Sequence, residues 1–270
     1  MVLWGSGSFF VKDGLRFATS LDFLILRVIV ALGVIVSIAL VQRKTLRFPT
    51  TCVAWFQVVL TGLLLQFFYQ YFFFQSLETN MSPGLLMIIL GTQPIFTAFC
   101  TNEKIYAQQW IAISIALSGL ILIVFNSIFE GHISTMGVLF AILALIGMTV
   151  GSILQNIFCR TYSLTANLLI QYTVSLLAFY ATSGFHAFAH FEFQLPFLLP
   201  LLWMSVVISV IAIYIYYFLI SSKKLTRVTM IFYGVPVVAA LCDYLFLGHV
   251  LSISTMIGML LTFIGFYLAY

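Results

Sequence analysis

The chain has 270 residues, of which 63% are hydrophobic and 7% charged, with a formal net charge of +4. A soluble domain carries about 25% charged residues, so a water-facing surface is excluded and a polytopic membrane protein is implied. The small positive balance reflects which loops hold the cations and is not a nucleic-acid footprint. The four cysteines, Cys52, Cys100, Cys159 and Cys242, form no CxxC or Cys/His cluster, so no metal site is expected.

At about 20 residues per spanning helix plus short turns, the chain holds about ten helices and no separate soluble domain. The first apolar stretch, α1, is Met1 to Val11, short of the roughly 17 residues a bilayer requires. Next come α2 (Leu21 to Val41), α3 (Cys52 to Gln75), α4 (Pro83 to Thr101) and α5 (Gln108 to Asn126). A polar connection over residues 127–135 separates the halves. The second half holds α6 (Met136 to Phe158), α7 (Thr165 to Phe185), α8 (Pro196 to Ile220), α9 (Val228 to Gly248) and α10 (Ser252 to Tyr270).

The two halves repeat one another. Pro94 lies inside α4, a polar break runs from Thr101 to Ile105, and Gly119 lies inside α5. The end of the chain has Pro236 inside α9, a break at Gly248-His249-Val250-Leu251, and Gly265 inside α10. Cys100 follows Pro94 by six residues, as Cys242 follows Pro236, and Gly119 follows Glu103 by sixteen, as Gly265 follows His249. The first copy is shorter by four residues between cysteine and break, which is about one helical turn. The domains expected are therefore 1–126 and 136–270, two units of five helices joined by 127–135.

Loop charge gives the orientation. Arg43, Lys44, Arg47, Lys104, Arg160, Lys223, Lys224 and Arg227 lie in loops on one side, against Lys12 and Arg16 on the other. The positive-inside bias puts the first set and both termini in the cytoplasm. Five is an odd number, so the second repeat crosses the membrane inverted, with the substrate site expected near the midplane between the halves.

These features together resemble the EamA-type branch of the drug/metabolite transporter superfamily. The residues are Trp4-Gly5-Ser6-Gly7, Arg27, Pro94, Asn102-Glu103-Lys104-Ile105, Trp110 and Gly119, then Pro236, Gly248-His249-Val250-Leu251, Gly258 and Gly265. The resemblance implies ten helices, alternating access, and export or exchange of small metabolites such as amino acids, without a cofactor. It makes Trp4 a substrate-binding candidate. Three departures stand out: α1 is short, α4 lacks a turn, and His249 replaces an expected acidic residue.

Arg27 is the most informative single residue. A cation inside a span must pair or face water. Its functional reading is a counter-charge for a substrate carboxylate or phosphate. The structural alternative is a snorkelling or structurally paired arginine, with Asp13 and Asp22 as candidate partners. On α3, Gly62, Gln66, Tyr69, Gln70 and Phe73 share a helical face. On α8, Ser209, Tyr214, Tyr216 and Tyr217 take the corresponding place. Such neutral groups suit a cavity for a zwitterionic or aromatic solute, or else plain interhelical hydrogen bonding. Gln93 and Tyr233, beside Pro94 and Pro236, are further substrate-binding candidates, and the two prolines are hinge candidates. Asp243 is the one acidic residue well inside a predicted span and the candidate for proton coupling. His132, His186, His190 and His249 fall toward the outer loops, and Asn80-Met81-Ser82 has the form of a glycosylation sequon.

The expected function is a secondary transporter of small neutral or zwitterionic metabolites in the plasma (inner) membrane, acting as a monomer or homodimer. Its partners are a small-molecule substrate and the lipid bilayer. A nucleotide-sugar or sugar-phosphate exchanger is the alternative within transport, and a non-transporting, degenerate or accessory membrane protein the alternative outside it. No paired aspartates, zinc motif or Ser/His pair marks an intramembrane enzyme.

Overall fold

A computed structural model describes the chain except residues 80, 82, 102–105, 126–133, 185–186, 189–192, 223–224, 248–250 and 270. The side chains of Ser8, Lys12, Asp243, Phe246, Leu247 and Ala269 also lie outside the described set. The expectations for Glu103, the four histidines, the sequon and the Asp243 carboxylate fall there.

Among the described residues every regular element is helical. Among the described residues, seven segments are long and apolar enough to cross a membrane: α2 (Ser20–Val41), α3 (Cys52–Glu78), α4 (Pro83–Cys100), α6 (Thr135–Phe158), α7 (Leu164–Thr182), α8 (Leu195–Ser222) and the Leu225–Cys242 part of α9. Shorter apolar helices are α1 (Val2–Gly14), α5 (Ala107–Ile123) and α10 (Ile253–Ala269). Hydroxyl caps start three of them: Thr19, Thr51 and Ser163 accept from the backbone of Asp22, Ala54 and Ala166, each occupying an orphan N–H of the first turn.

Burial runs opposite to that of a water-soluble protein. Leu177, Phe218, Leu260 and Phe263 are exposed, whereas Gln66, Gln93, Gln155 and Gln171 are buried. An apolar exterior around a hydrogen-bonded polar interior is what hydrocarbon solvent demands. The chain is a multi-pass membrane protein.

The chain forms two compact units. The first comprises residues 1–9, 72–149 and 223–270; the second comprises residues 10–71 and 150–222. Each draws on both sequence halves.

In the first unit, α5 and α10 pack along their length at backbone contact. A Cβ on Gly119 would sit 2.5 Å from Thr262 Oγ1 and 2.6 Å from Gly258 O, and one on Gly265 2.6 Å from Ala116 N. Small residues at these positions let the backbones touch. Both prolines follow helix breaks. α4 is Pro83–Gly91, an interruption at Thr92, then Gln93–Cys100. α9 is Leu225–Thr229, a 3-10 turn at Met230–Tyr233, then Gly234–Leu247. The sequence suggested prolines in mid-helix; the structure puts each in the first turn of a restarted helix, where the missing N–H costs no internal bond.

In the second unit, α2 packs on α7 and α8, and α3 packs on α7. Phe23, Leu24, Ile25, Val28 and Ala31 of α2 are buried, as are Tyr172 and Phe179 of α7 and Met204, Ile208 and Tyr217 of α8. Both α3 and α8 widen into π-helix, at Leu63–Phe68 and Trp203–Ala212. Close approach accompanies the widening in α3. A Cβ on Gly62 would lie 2.6 Å from Gln171 Cα, and one on Gly151 2.6 Å from Leu65 Cγ.

Candidate functional site

The site is built around Arg27, about ten ångströms along α2 from its start at the usual rise per residue. The side chain is only 5% exposed. Placing an arginine at such depth costs about 3 kcal/mol on insertion scales. Two hydrogen bonds to a charged donor, each contributing about 1.5–3 kcal/mol, offset that cost. Nε donates to Ser209 Oγ at 2.6 Å and Nη1 to Gln70 Oε1 at 2.8 Å.

Arg27 is paired within the protein, with Ser209 and Gln70 and not with Asp13 or Asp22. Snorkelling would expose the guanidinium. Asp13 bonds Arg16 at 3.4 Å, and Asp22 accepts from Thr19 Oγ1 at 2.8 Å and from the Phe188 N–H at 2.9 Å. The ionisable groups that interact with Arg27 electrostatically are the phenols of Tyr172 and Tyr69. Its hydrogen-bond partners among the described residues are neutral.

From Arg27 a chain of side chains crosses the unit. Gln70 Nε2 donates to Gln66 Oε1 at 3.4 Å, and Gln66 Nε2 to Tyr217 Oη at 2.9 Å. The Tyr217 hydroxyl donates to Gln171 Oε1 at 2.6 Å, and Gln171 Nε2 to Gln155 Oε1 at 2.8 Å. The direction is forced. Arginine has no acceptor atom, so Gln70 must turn its oxygen toward it, and each later group must then donate onward. Five helices, α2, α3, α8, α7 and α6, are joined by one oriented series. Tyr172 Oη donates to Ser209 O at 2.6 Å, and Ser152 and Tyr216 share a bond of 2.9 Å.

Local backbone shape delivers these groups. Gln66 lies in the π segment of α3 and Ser209 in that of α8. Ser209 Oγ donates to Met204 O at 2.8 Å, five residues back, so its lone pairs face Arg27. π-bulges recur at functional sites because the extra residue per turn re-aims side chains.

The structure thus brings together Arg27, Gln66, Gln70 and Tyr217 of the sequence candidates, with Tyr69 beside them. Tyr214 is half-buried and forms no hydrogen bond to a described residue. Trp4, Gln93 and Tyr233 belong to the other unit. Trp4 packs on Phe232 with ring centroids 5.1 Å apart. Gln93 and Thr97 are fully buried on α4. The Tyr233 hydroxyl is buried with no hydrogen-bond partner among the described residues. Sequence reasoning missed Gln155, Gln171 and Tyr172. An amide standing alone in an apolar run was the available signal, since such groups in hydrocarbon require partners.

The chain also resembles known proteins. The model of the EamA-like transporter family matches residues 1–125 and again residues 135–270. The uncharacterized transporter YvbV of Bacillus subtilis (strain 168) is 23% identical over 268 residues, 97% of this chain and 86% of that protein. A probable amino-acid metabolite efflux pump of Escherichia coli (strain K12) is 22% identical over 220 residues, 77% of this chain and 74% of that one. A solved crystal structure shares the fold at TM-score 0.79 and 16% identity, covering 99% of this chain and 93% of its own. A family match over both halves, on an apolar helical chain with a hydrogen-bonded polar interior, identifies a transporter and not an enzyme: the chain belongs to the EamA-like transporter family.

Proposed function

We propose that this chain is a secondary transporter that exports amino acids and related small carboxylate-bearing metabolites by alternating access. Arg27 receives the carboxylate. The observation that carries this reading is a buried cation whose hydrogen-bond partners among the described residues are neutral, because an unbalanced charge in a low-dielectric interior favours an anionic ligand. Gln66, Gln70 and Tyr217 hold the guanidinium in place. Tyr69, Trp4, Gln93 and Tyr233 are further candidate solute contacts, each within its own unit, and the broken helices at Pro94 and Pro236 supply hinges.

The proposed topology is ten spanning helices in two inverted five-helix repeats, 1–126 and 136–270. Separate family matches to the two halves and the equivalent breaks before Pro94 and Pro236 support it. Eight Lys/Arg against two in opposite loops support cytoplasmic termini in the plasma (inner) membrane. A nucleotide-sugar or sugar-phosphate substrate is disfavoured, since Arg27 is the only buried cation among the described residues and such solutes carry several negative charges. Proton coupling through Asp243 remains a separable proposal.

The test is counterflow of labelled amino acids and carboxylate metabolites in proteoliposomes, with and without a pH gradient. Label accumulation is expected, and Arg27→Ala should lower it at least about tenfold while the protein still inserts, the equivalent of about 1.4 kcal/mol. Unchanged accumulation in the variant would remove Arg27 from substrate binding. Stimulation by the gradient that is lost in Asp243→Asn would establish coupling.

A further inference from the structure

The charge balance around Arg27 narrows the solute beyond carrying a carboxylate. Nε and Nη1 are engaged by Ser209 and Gln70, while Nη2 forms no hydrogen bond to any described residue. Among the described residues of this unit the carboxylates are Asp13 and Asp22, and both are bonded elsewhere. The oriented chain from Gln70 to Gln155 turns an oxygen toward the guanidinium at every link. Those dipoles solvate the cation without cancelling it, so among the described residues the guanidinium charge of plus one is unbalanced.

We propose that the solute of this site is a net monoanion: a carboxylic acid whose α-substituent is uncharged, such as a 2-oxo, 2-hydroxy or N-acylamino acid. Its zwitterionic amino-acid counterpart is the weaker ligand. A monoanion on Nη2 brings the site to neutrality. A zwitterion leaves the total at plus one and sets its ammonium group within a few ångströms of its own carboxylate, hence close to the guanidinium. At the effective dielectric of buried sites that repulsion amounts to at least about tenfold in affinity. The amide oxygens that would receive the ammonium each already accept one hydrogen bond within the chain, leaving a single lone pair apiece.

The inference rests on the transporter reading above, and the experiment separates the two. The full chain, purified and reconstituted, is offered matched pairs: pyruvate and alanine, 2-oxoisovalerate and valine, phenylpyruvate and phenylalanine. Each competes for counterflow of the best labelled solute, and each is titrated for thermal stabilisation of the purified protein. The acid of each pair should compete and stabilise at a concentration at least about tenfold lower than its amino acid. Arg27→Gln should abolish that ratio, and because the ranking is read on the unaltered chain, it survives a variant that fails to fold. Amino acids that match or outrank their acids overturn the monoanion assignment and leave the transporter reading intact. Absence of counterflow and of stabilisation by every compound overturns both.

Discussion

The two compact units solve membrane packing in different ways. In the first, α5 and α10 meet through Gly119, Gly258 and Gly265 with backbone against backbone, and van der Waals contact does the work. In the second, close approaches at Gly62 and Gly151 are accompanied by a polar series that joins the helices through Arg27, Gln70, Gln66, Tyr217, Gln171 and Gln155. A glycine seam has one good geometry, since packed backbones cannot yield. A hydrogen-bonded series can exchange partners at small cost when a solute arrives. The difference assigns the seam to scaffold and the polar series to ligand response.

Substitutions at the two places should therefore fail differently. The largest effect is expected from Gly258→Leu. Its Cβ alone would lie 2.6 Å from Gly119 O and 2.7 Å from Ile123 N, and neither is a flexible side chain. Overpacking of this kind costs about 1–3 kcal/mol or more, so thermal unfolding in detergent should show a large fall in stability. Retained stability would break the scaffold assignment.

Tyr217→Phe comes next. It removes a donor to Gln171 and an acceptor for Gln66, and buried groups left unmatched cost about 1–3 kcal/mol. The melting temperature should fall less than in Gly258→Leu, while solute affinity drops severalfold. An affinity equal to that of the unaltered chain would make the series purely structural.

Pro236→Ala should be milder. Alanine can extend the helix back through the 3-10 turn at Met230–Tyr233, removing the break. Turnover in counterflow should slow more than half-saturation changes. Equal effects on both would favour a packing role for the break.

The smallest stability change is expected for Tyr233→Phe. It deletes a buried hydroxyl that has no partner among the described residues, so stability should hold or rise slightly. A loss of transport at unchanged stability would mark Tyr233 as a solute contact and extend ligand response into the first unit.

Much of the fold was legible in the chain. Apolar runs of spanning length between charged loops predicted α2, α3, α4, α6, α7 and α8 to within a few residues. α9 begins three residues earlier than expected, at Leu225, because the restart at Gly234 lets a short separate turn precede it. The helical face carrying Gln66 and Gln70 was readable from four-residue spacing, and Arg27 from its charge in an apolar run. Tyr214 looked equivalent to Tyr217, since both are phenols on α8. Tyr217 bonds Gln66 and Gln171, whereas Tyr214, three residues back on the same helical turn, points along a different direction.

The sequence by itself determined the solvent, the helical class, the internal repeat and the presence of a buried cation, since each follows from composition or periodicity along one strand of chain. Only the tertiary structure decided what that cation meets. Its partners come from residues 43 and 182 positions away, and their pairing depends on glycine-permitted approach and π-widened turns. Local propensity carries no information about which distant amide will turn its oxygen toward Arg27. The packing of five helices supplies it.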